Sequence, residues 1–391
     1  MTIFLGILLT IAIFTCIVFL HEMGHFLTAR LTKMRVEEFG IGIPPHAKTL
    51  FEDKKWTHYT LNWLPIGGFV RIKWEDPMSD EAHEKDAFSA KKWWARSLVL
   101  IAWVTMNFIL AIVIFFWFFI IGTSPIWPNL ILDKDYGSLM LPSFDKSIET
   151  GYITHSGLML SPLTGSIAER AWVLAWDQVI ALDGQVIDDI DGFRAVLADN
   201  AEHTLIVSGT GWERPLVITP EGGKIGVRID YKDLSINDAY HMKLPFSEAV
   251  IASLYETYAL SHLTFDVLIS TVRKLVSPVT PSERKEATEM LSWPIGIGST
   301  FTDVVEAGLT WKIVFSIIAL LSINLWVLNI LPFPALDGGR LVSTTARSII
   351  GLFYKKTKML DKIEYIIHAF GMVFLLAVSL LIAILDITKL L

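Results

Sequence analysis

The chain has 391 residues, of which 52% are hydrophobic and only 19% charged, with a mean hydropathy of +0.49. Soluble domains carry about 25% charged residues, so this composition excludes an ordinary soluble enzyme. The single cysteine, Cys16, excludes a disulfide framework and a cysteine-ligated zinc site, and the net charge of −7 argues against nucleic acid as a partner.

Four uncharged stretches are long enough to cross a lipid bilayer as helices, which takes about 20 residues. They are 3–20, 97–122, 313–331 and 366–385, the last interrupted only by His368, which we interpret as a packed or interfacial histidine. The first stretch has no basic n-region and no small-residue cleavage site, which favours a retained span. The pattern predicts a polytopic α-helical membrane protein with four transmembrane helices.

The orientation follows from the basic residues near the ends of the spans. Lysine and arginine are concentrated between spans one and two and between spans three and four, and are almost absent from the two ends of the chain. The positive-inside rule therefore puts both short connections in the cytoplasm. Both termini and the long segment 123–310 are then predicted to be extracytoplasmic.

The segments between the spans have distinct patterns. Residues 34–73 alternate β-forming and turn residues, which predicts short hairpins apolar enough to dip into the membrane. Residues 76–86 are acidic and predict a surface loop. Residues 145–236 predict a small β-rich domain, with turns at the pairs Asp183-Gly184 and Gly222-Gly223. Residues 246–275 have a helical period with scattered charges, which predicts a helix on the membrane surface or against the spans.

The most informative motif is the run His21-Glu22-Met23-Gly24-His25 at the end of the first span. Residues four apart lie on one face of a helix, so His21 and His25 can reach the same tetrahedral metal ion. Glu22 is placed to take a proton from a water at that metal. Ionisable residues in a membrane segment are costly and usually functional, which favours a metal site over packed histidines.

Two histidines leave one protein ligand to be found, and Asp337 is the candidate. It follows the third span, where Pro332 and Pro334 end the helix and free the backbone to turn one carboxylate inward. The distribution of basic residues puts Asp337 on the same side of the membrane as the two histidines. The alternative is a surface aspartate in an ordinary helix-end loop.

The motifs at 21–25 and 329–338 resemble those of the site-2 protease family of intramembrane zinc metalloproteases, in particular its bacterial regulator-of-sigma-E type with a PDZ domain. The resemblance covers nearly the whole chain. Further segments that resemble family motifs are 39–42 and 65–70, Asn107-Phe108 in the second span, 165–168 and 177–184 in the β-rich domain, and 292–297 before the third span.

The resemblance implies a zinc endopeptidase that cleaves the transmembrane segment of a single-span membrane protein, in regulated intramembrane proteolysis. Zn2+ is then held by His21, His25 and Asp337, and Glu22 is the catalytic base. An upstream site-1 protease is implied as a partner that trims the substrate first. The implied location is the bacterial inner membrane, with the PDZ-like domain outside and the active site near the cytoplasmic side.

The resemblance also implies the remaining architecture and the substrate contacts. Asn329, Gly67 and Gly68 are the implied substrate-binding residues, and for Asn329 a helix-capping role is the alternative. The predicted segments are 1–33 (first span), 34–96 (membrane re-entrant β-loop and cytoplasmic loop), 97–123 (second span), 145–236 (extracytoplasmic PDZ-like α/β domain), 245–305 (amphipathic helical region), 308–340 (third span and the Asp337 motif) and 364–388 (fourth span).

Two alternatives to an active enzyme of this family remain open. One is a membrane scaffold that binds client tails through the PDZ-like domain without cleaving them, but such a protein needs no base at Glu22. The other is an unrelated membrane zinc protease, and the run Leu336-Asp337-Gly338 argues against it.

Half of the tryptophans stand where the family has glycine: Trp56, Trp74, Trp103, Trp172, Trp176, Trp212 and Trp293. Glycine is used where φ is positive or where backbones pack closely, and tryptophan has both a Cβ atom and the largest side chain. One explanation is that the source reads UGA codons as glycine, so that these residues are glycine in the cell. The other is that these positions have diverged.

Overall fold

A computed structural model describes residues 2–73, 85–88, 90–126, 134–209, 212–290, 310–353 and 357–390. The chain divides into two units, one formed by Met1–Ile126, Tyr136–Met140 and Met242–Leu391 and the other by Trp127–Asp135 and Leu141–His241. Most of the acidic loop predicted at 76–86, Trp74, Trp293 and the second part of the 245–305 region lie outside the described residues.

Helices dominate the first unit and strands the second. The helices are α1 (Thr2–Leu31), α2 (Trp93–Ile121), α3 (Phe144–Glu149), α4 (Ile167–Arg170), α5 (Ile190–Leu197), α6 (Phe246–Val276), α7 (Pro281–Met290), α8 (Trp311–Ile330), α9 (Asp337–Phe353) and α10 (Thr357–Leu390). The strands are β1 (Val36–Glu52), β2 (His58–Ile72), β3 (Ile153–Thr154), β4 (Leu158–Pro162), β5 (Asp177–Leu182), β6 (His203–Ser208), β7 (Glu213–Ile218), β8 (Val227–Tyr231) and β9 (Ser235–Ile236).

The four predicted spans are confirmed as helices long and apolar enough to cross a membrane. Among the described residues these candidate spans are Phe4–Leu31, Trp93–Ile121, Trp311–Ile330 and Lys362–Leu385, which lie in α1, α2, α8 and α10. The helix α1 continues well past the apolar run at 3–20, so His21 and His25 lie inside it rather than at its end.

The prediction of several short hairpins at 34–73 is wrong, because β1 and β2 form one long hairpin. Residues 38–41 pair with 68–71 on one side and with 58–61 on the other, and 46–52 pair with 58–62. Because both strands bend, they form a sheet of four strand segments in the order 68–71, 38–41, 58–61 and 46–52. Turn-forming residues such as Gly42, with φ +80°, bend β1 within the sheet instead of ending it.

The sheet lies against one face of α1, at residues spaced three or four apart. Phe19 packs edge-on against Phe39 of β1 and Phe26 packs against it at a tilt, with ring centroids 5.2 Å apart in each case. Near the end of α1, Arg30 binds Asp53 and donates to Thr57 Oγ1 at 2.9 Å. The hairpin is thus fixed along the half of α1 that carries the histidine motif.

The helix α6 packs against α2 and α8, which selects the second of the two predicted placements, against the spans. Its buried Glu256 accepts hydrogen bonds from Ser138 Oγ at 2.5 Å and from the backbone N–H groups of Leu139 and Met140 at 2.7 and 3.3 Å. These hydrogen bonds satisfy the buried Glu256 side chain and hold segment 136–140 against α6.

The second unit is built on an antiparallel sheet in the order β7-β6-β5-β4-β8. Its core contains the fully buried Leu158, Leu160, Phe193 and Leu205. The predicted turn at Asp183-Gly184 links β5 to the next segment, with positive φ at both residues. The β-rich domain predicted at 145–236 is thus present as a sheet with small helices.

This second unit is expected to lose stability as the pH rises above about 6.5. The buried His203 faces Asp183 Oδ2 at 2.7 Å and Asp199 Oδ1 at 2.9 Å, and these hydrogen bonds, the Asp183 one foremost, raise the pKa of His203 above its ordinary 6.5. The stabilisation is complete below pH 6.5 and disappears as the pH rises through the raised pKa. Thermal unfolding of the full chain, monitored by proteolysis of this unit, should show the stability falling with rising pH in wild type and falling less steeply in His203→Gln. Equal slopes contradict the assignment.

Candidate metal centre

The histidine motif occupies the buried side of α1. His21 and His25 are both buried, one helical turn apart, with ring centroids separated by 6.4 Å. Between them, Gly24 lets α2 approach closely, since a Cβ added there would lie 2.6 Å from Met106 Cγ and 2.8 Å from Ala102 O. The absence of a side chain at Gly24 therefore keeps α2 against the motif.

Asp337 reaches the same site from the other end of the sequence. The helix α8 ends at Ile330, ahead of Pro332 and Pro334, and the chain turns before α9 begins at Asp337. The buried Asp337 carboxylate then lies beside α1, with its Oδ2 atom 3.7 Å from His21 Nε2. Two residues more than 300 positions apart thus meet at one buried point.

Asn107 of α2 contacts the other nitrogen of the His21 ring. Its side-chain Nδ2 atom lies 3.0 Å from His21 Nδ1, and Asn107 is fully buried. An asparagine amide can present either its nitrogen or its oxygen to a neighbour. If the amide is turned over so that its oxygen faces Nδ1–H, the His21 proton is held on Nδ1, and the Nε2 lone pair faces Asp337. This is the outer-shell arrangement that orients histidine ligands in metal sites.

Glu22 points to the edge of the hairpin sheet. Its Oε2 atom accepts a hydrogen bond from the Val70 N–H of β2 at 3.0 Å, and about two turns earlier on α1 Thr15 Oγ1 accepts from the Gly67 N–H at 3.2 Å. The segment of β2 that contains Gly67 and Gly68 is therefore held beside the histidine motif. No pattern in the sequence indicates the contact of Glu22 with Val70, because this contact depends on how the sheet bends.

Asn329 is buried in the last turn of α8, on the segment that leads to Asp337. The end of that helix is closed by the Leu331 N–H, which donates to Leu328 O at 3.2 Å. The Leu328 carbonyl is therefore satisfied by the backbone and not by the Asn329 side chain.

The chemistry of these side chains suits a zinc ion. Two imidazoles, a carboxylate and a neighbouring glutamate are buried together, and such groups are costly to bury unless they are paired or bind a metal. The 3.7 Å between His21 Nε2 and Asp337 Oδ2 is near the ~3.4 Å between two ligand atoms on a tetrahedral zinc. Among the described residues, no trio of His, Cys, Asp or Glu is close enough to hold a metal ion as it stands.

Comparisons with known proteins agree with this chemistry. A family model described as peptidase family M50 matches residues 9–378. A Fusobacterium nucleatum protein named as a zinc metalloprotease, FN1322, is 30% identical over 390 residues, covering 98% of each chain. The regulator of sigma-E protease RseP of Escherichia coli is 26% identical over 427 residues, covering 89% of each chain. Zinc metalloprotease RasP of Geobacillus kaustophilus is 24% identical over 459 residues, covering 97% of each. The chain therefore belongs to peptidase family M50, the site-2 proteases, and is a zinc metalloprotease of the membrane.

Proposed function

We propose that this protein cleaves the transmembrane segment of a single-span membrane protein whose outer part has already been trimmed by another protease. The observation that carries the proposal is the buried contact of His21 with Asp337, next to Glu22 and inside a set of apolar helices. A peptide that reaches this site has to come from the membrane or from an unwound membrane helix. His21, His25 and Asp337 are the proposed zinc ligands.

The substrate segment has to be extended when it is cut. In an α-helix each peptide bond is shielded by the helical hydrogen bonds around it. An unwound segment in an apolar environment needs new partners for its backbone groups. The strand segment at Gly67 and Gly68, at the edge of the sheet beside α1, can supply them by pairing with the substrate as a further strand, through backbone groups other than the Gly67 N–H that donates to Thr15 Oγ1. We assign Asn329 a contact with the same backbone, on the side of α8.

The residues divide the chemistry of hydrolysis between them. Zinc, when bound, supplies a Lewis acid that polarises the scissile carbonyl and acidifies water. Glu22 takes a proton from the attacking water as the new carbon–oxygen bond forms, and passes it to the leaving amine as the carbon–nitrogen bond breaks. The Val70 N–H holds the Glu22 carboxylate in place throughout. Asn107 keeps the His21 ring oriented.

The β-rich domain at 145–236, in the second unit, is proposed to be PDZ-like and to lie outside the cytoplasm, where it admits only trimmed substrates. Its proposed location follows from the distribution of basic residues, which puts the connections 34–96 and 340–362 on the cytoplasmic side. On this topology both termini are extracytoplasmic and the metal centre is near the cytoplasmic side. The bacterial inner membrane is the proposed location, in line with the resemblance to the regulator-of-sigma-E type.

The decisive experiment is product mapping with the purified, detergent-solubilised chain and a single-span model substrate. We expect mass spectrometry to locate the cut within the apolar segment of the substrate, because the ligands are buried among the spans. Treatment with 1,10-phenanthroline should abolish the cut, and added Zn2+ should restore it.

The matched control is the same substrate with a large folded domain left on its outer side, which we expect to be cut more slowly. A cut outside the apolar segment contradicts the proposed substrate class. Cleavage that survives chelation contradicts the metal centre, and binding of the trimmed substrate without any cut favours the scaffold alternative.

A further inference from the structure

The fourth candidate span touches the rest of the molecule at a small and specific place. Only 6% of its most apolar 18-residue stretch is buried within the protein, against 22%, 41% and 44% for the corresponding stretches of the other three candidate spans. Its contacts include His368, Gly371 and Phe374, which are three residues apart and share one face of α10. All three meet the segment 331–336 between α8 and Asp337.

The packing at this contact is close. A Cβ added at Gly371 would lie 2.5 Å from both the Cβ and the carbonyl oxygen of Pro334, so only glycine lets α10 approach. One turn further on, the Phe374 ring packs against Phe333, with centroids 5.7 Å apart. The helix α10 therefore packs against both Phe333 and Pro334.

His368 makes the polar contact, and its hydrogen-bond partners fix its tautomer. Ala335 N–H donates to His368 Nδ1 at 3.0 Å, and a backbone N–H can only donate, so Nδ1 is unprotonated. The neutral ring then carries its proton on Nε2, which donates to Ser343 Oγ at 3.2 Å. The Ser343 hydroxyl in turn donates a hydrogen bond to Glu364 Oε1 at 2.7 Å. The ring is thus held from both sides.

Ala335, the residue whose N–H donates to His368, has a strained backbone conformation. Leu336 N–H donates to Phe333 O at 3.1 Å, which closes a turn with Pro334 second and Ala335 third. Ala335 has φ +76°, the left-handed value that the third residue of a type II turn requires and that glycine normally supplies. A non-glycine residue keeps this conformation only where its surroundings compensate for the strain.

We propose that His368 is a positioning residue for the metal centre. Through Ala335 it fixes the turn that aims Asp337, two residues further on, at His21. The inference rests on the proposed function, because it takes Asp337 as a zinc ligand. The fourth span is then a support for the zinc site and not only a membrane anchor.

The test measures metal binding to the full chain in detergent, with Zn2+ affinity from chelator competition and the visible spectrum of the Co2+-substituted protein. We expect His368→Ala to bind Zn2+ about 10- to 100-fold more weakly, the usual range for lost outer-shell support, and to change the Co2+ spectrum. His368→Asn keeps an acceptor for the Ala335 N–H and should bind nearly as wild type. Ala335→Gly should restore part of the affinity in the His368→Ala background, since glycine adopts the turn without help.

A glycine pair gives an independent check that leaves His368 intact. Gly371→Ala should displace Pro334 and weaken Zn2+ binding, whereas Gly351→Ala, also in a helix but with nothing within 4 Å of the added Cβ, should not. If His368→Ala and Gly371→Ala both bind Zn2+ and Co2+ as wild type while Asp337→Ala does not, the positioning role is overturned. If Asp337→Ala also binds as wild type, the proposed metal centre itself is wrong.

Discussion

Glu22→Gln is expected to abolish cleavage of a single-span substrate while the protein keeps its zinc. Glutamine has the size of glutamate, and its amide oxygen can still accept from the Val70 N–H, so the sheet stays anchored to α1. It cannot take a proton from water, and loss of a general base typically costs about 100- to 10,000-fold in rate. Zinc content should be unchanged, because the proposed ligands are His21, His25 and Asp337.

Two companion variants separate the base from its structural contact. Glu38→Gln makes the same chemical change within the sheet, where Glu38 binds Thr60 and Arg71, and should leave the rate close to that of wild type. Glu22→Ala removes both the base and the acceptor for Val70, so it should lower thermal stability as well as the rate. A Glu22→Gln protein with more than about a tenth of the wild-type rate would remove Glu22 from the role of base.

The spans and the metal motif could be predicted because their signals are local. An uncharged run of about 20 residues is read directly from the sequence, and so is a pair of histidines four apart. The position of Asp337 required one non-local step, the distribution of basic residues, and the structure brings this residue to 3.7 Å from His21.

The contacts that could not be predicted depend on backbone conformation far away in the sequence. His368 looked like a packed histidine because its partner, Ala335, is 33 residues away and matters only through the φ of one turn. The prediction of several short hairpins at 34–73 is wrong because glycine and proline occur both in turns and in bulges. Packing against α1 decides which of the two conformations forms.

Tryptophans in the left-handed region offer the second strong prediction. Trp56, Trp172 and Trp176 have φ values of 62°, 65° and 70°, and all three belong to the seven predicted glycine positions. These residues are 67%, 74% and 58% exposed, so burial does not offset the backbone strain. Trp172 and Trp176 each still donate a backbone hydrogen bond, to Glu169 O and Leu160 O, which holds them in this conformation.

Replacing each of these three tryptophans with glycine is therefore expected to raise the free energy of unfolding, by about 1 kcal/mol per site. Thermal unfolding of the full chain should show the Trp172→Gly/Trp176→Gly double variant melting above the parent. Trp212→Gly is the matched control, because Trp212 is equally exposed but is not among the positive-φ residues, and it should give no gain. A double variant that melts below the parent contradicts the glycine-like assignment of these turns.

Peptide mass spectrometry on the protein from its own source then separates the two explanations for the substitutions. If the source reads UGA as glycine, peptides that cover Trp56, Trp172 and Trp176 carry glycine masses there, whereas Trp63, an exposed tryptophan in β2 without positive φ, carries a tryptophan mass. Tryptophan masses at all four positions mean true divergence, and the strain in these turns is then carried by the native protein. In both cases His21, Glu22, His25 and Asp337 are unaffected, so this prediction can fail without touching the metal centre.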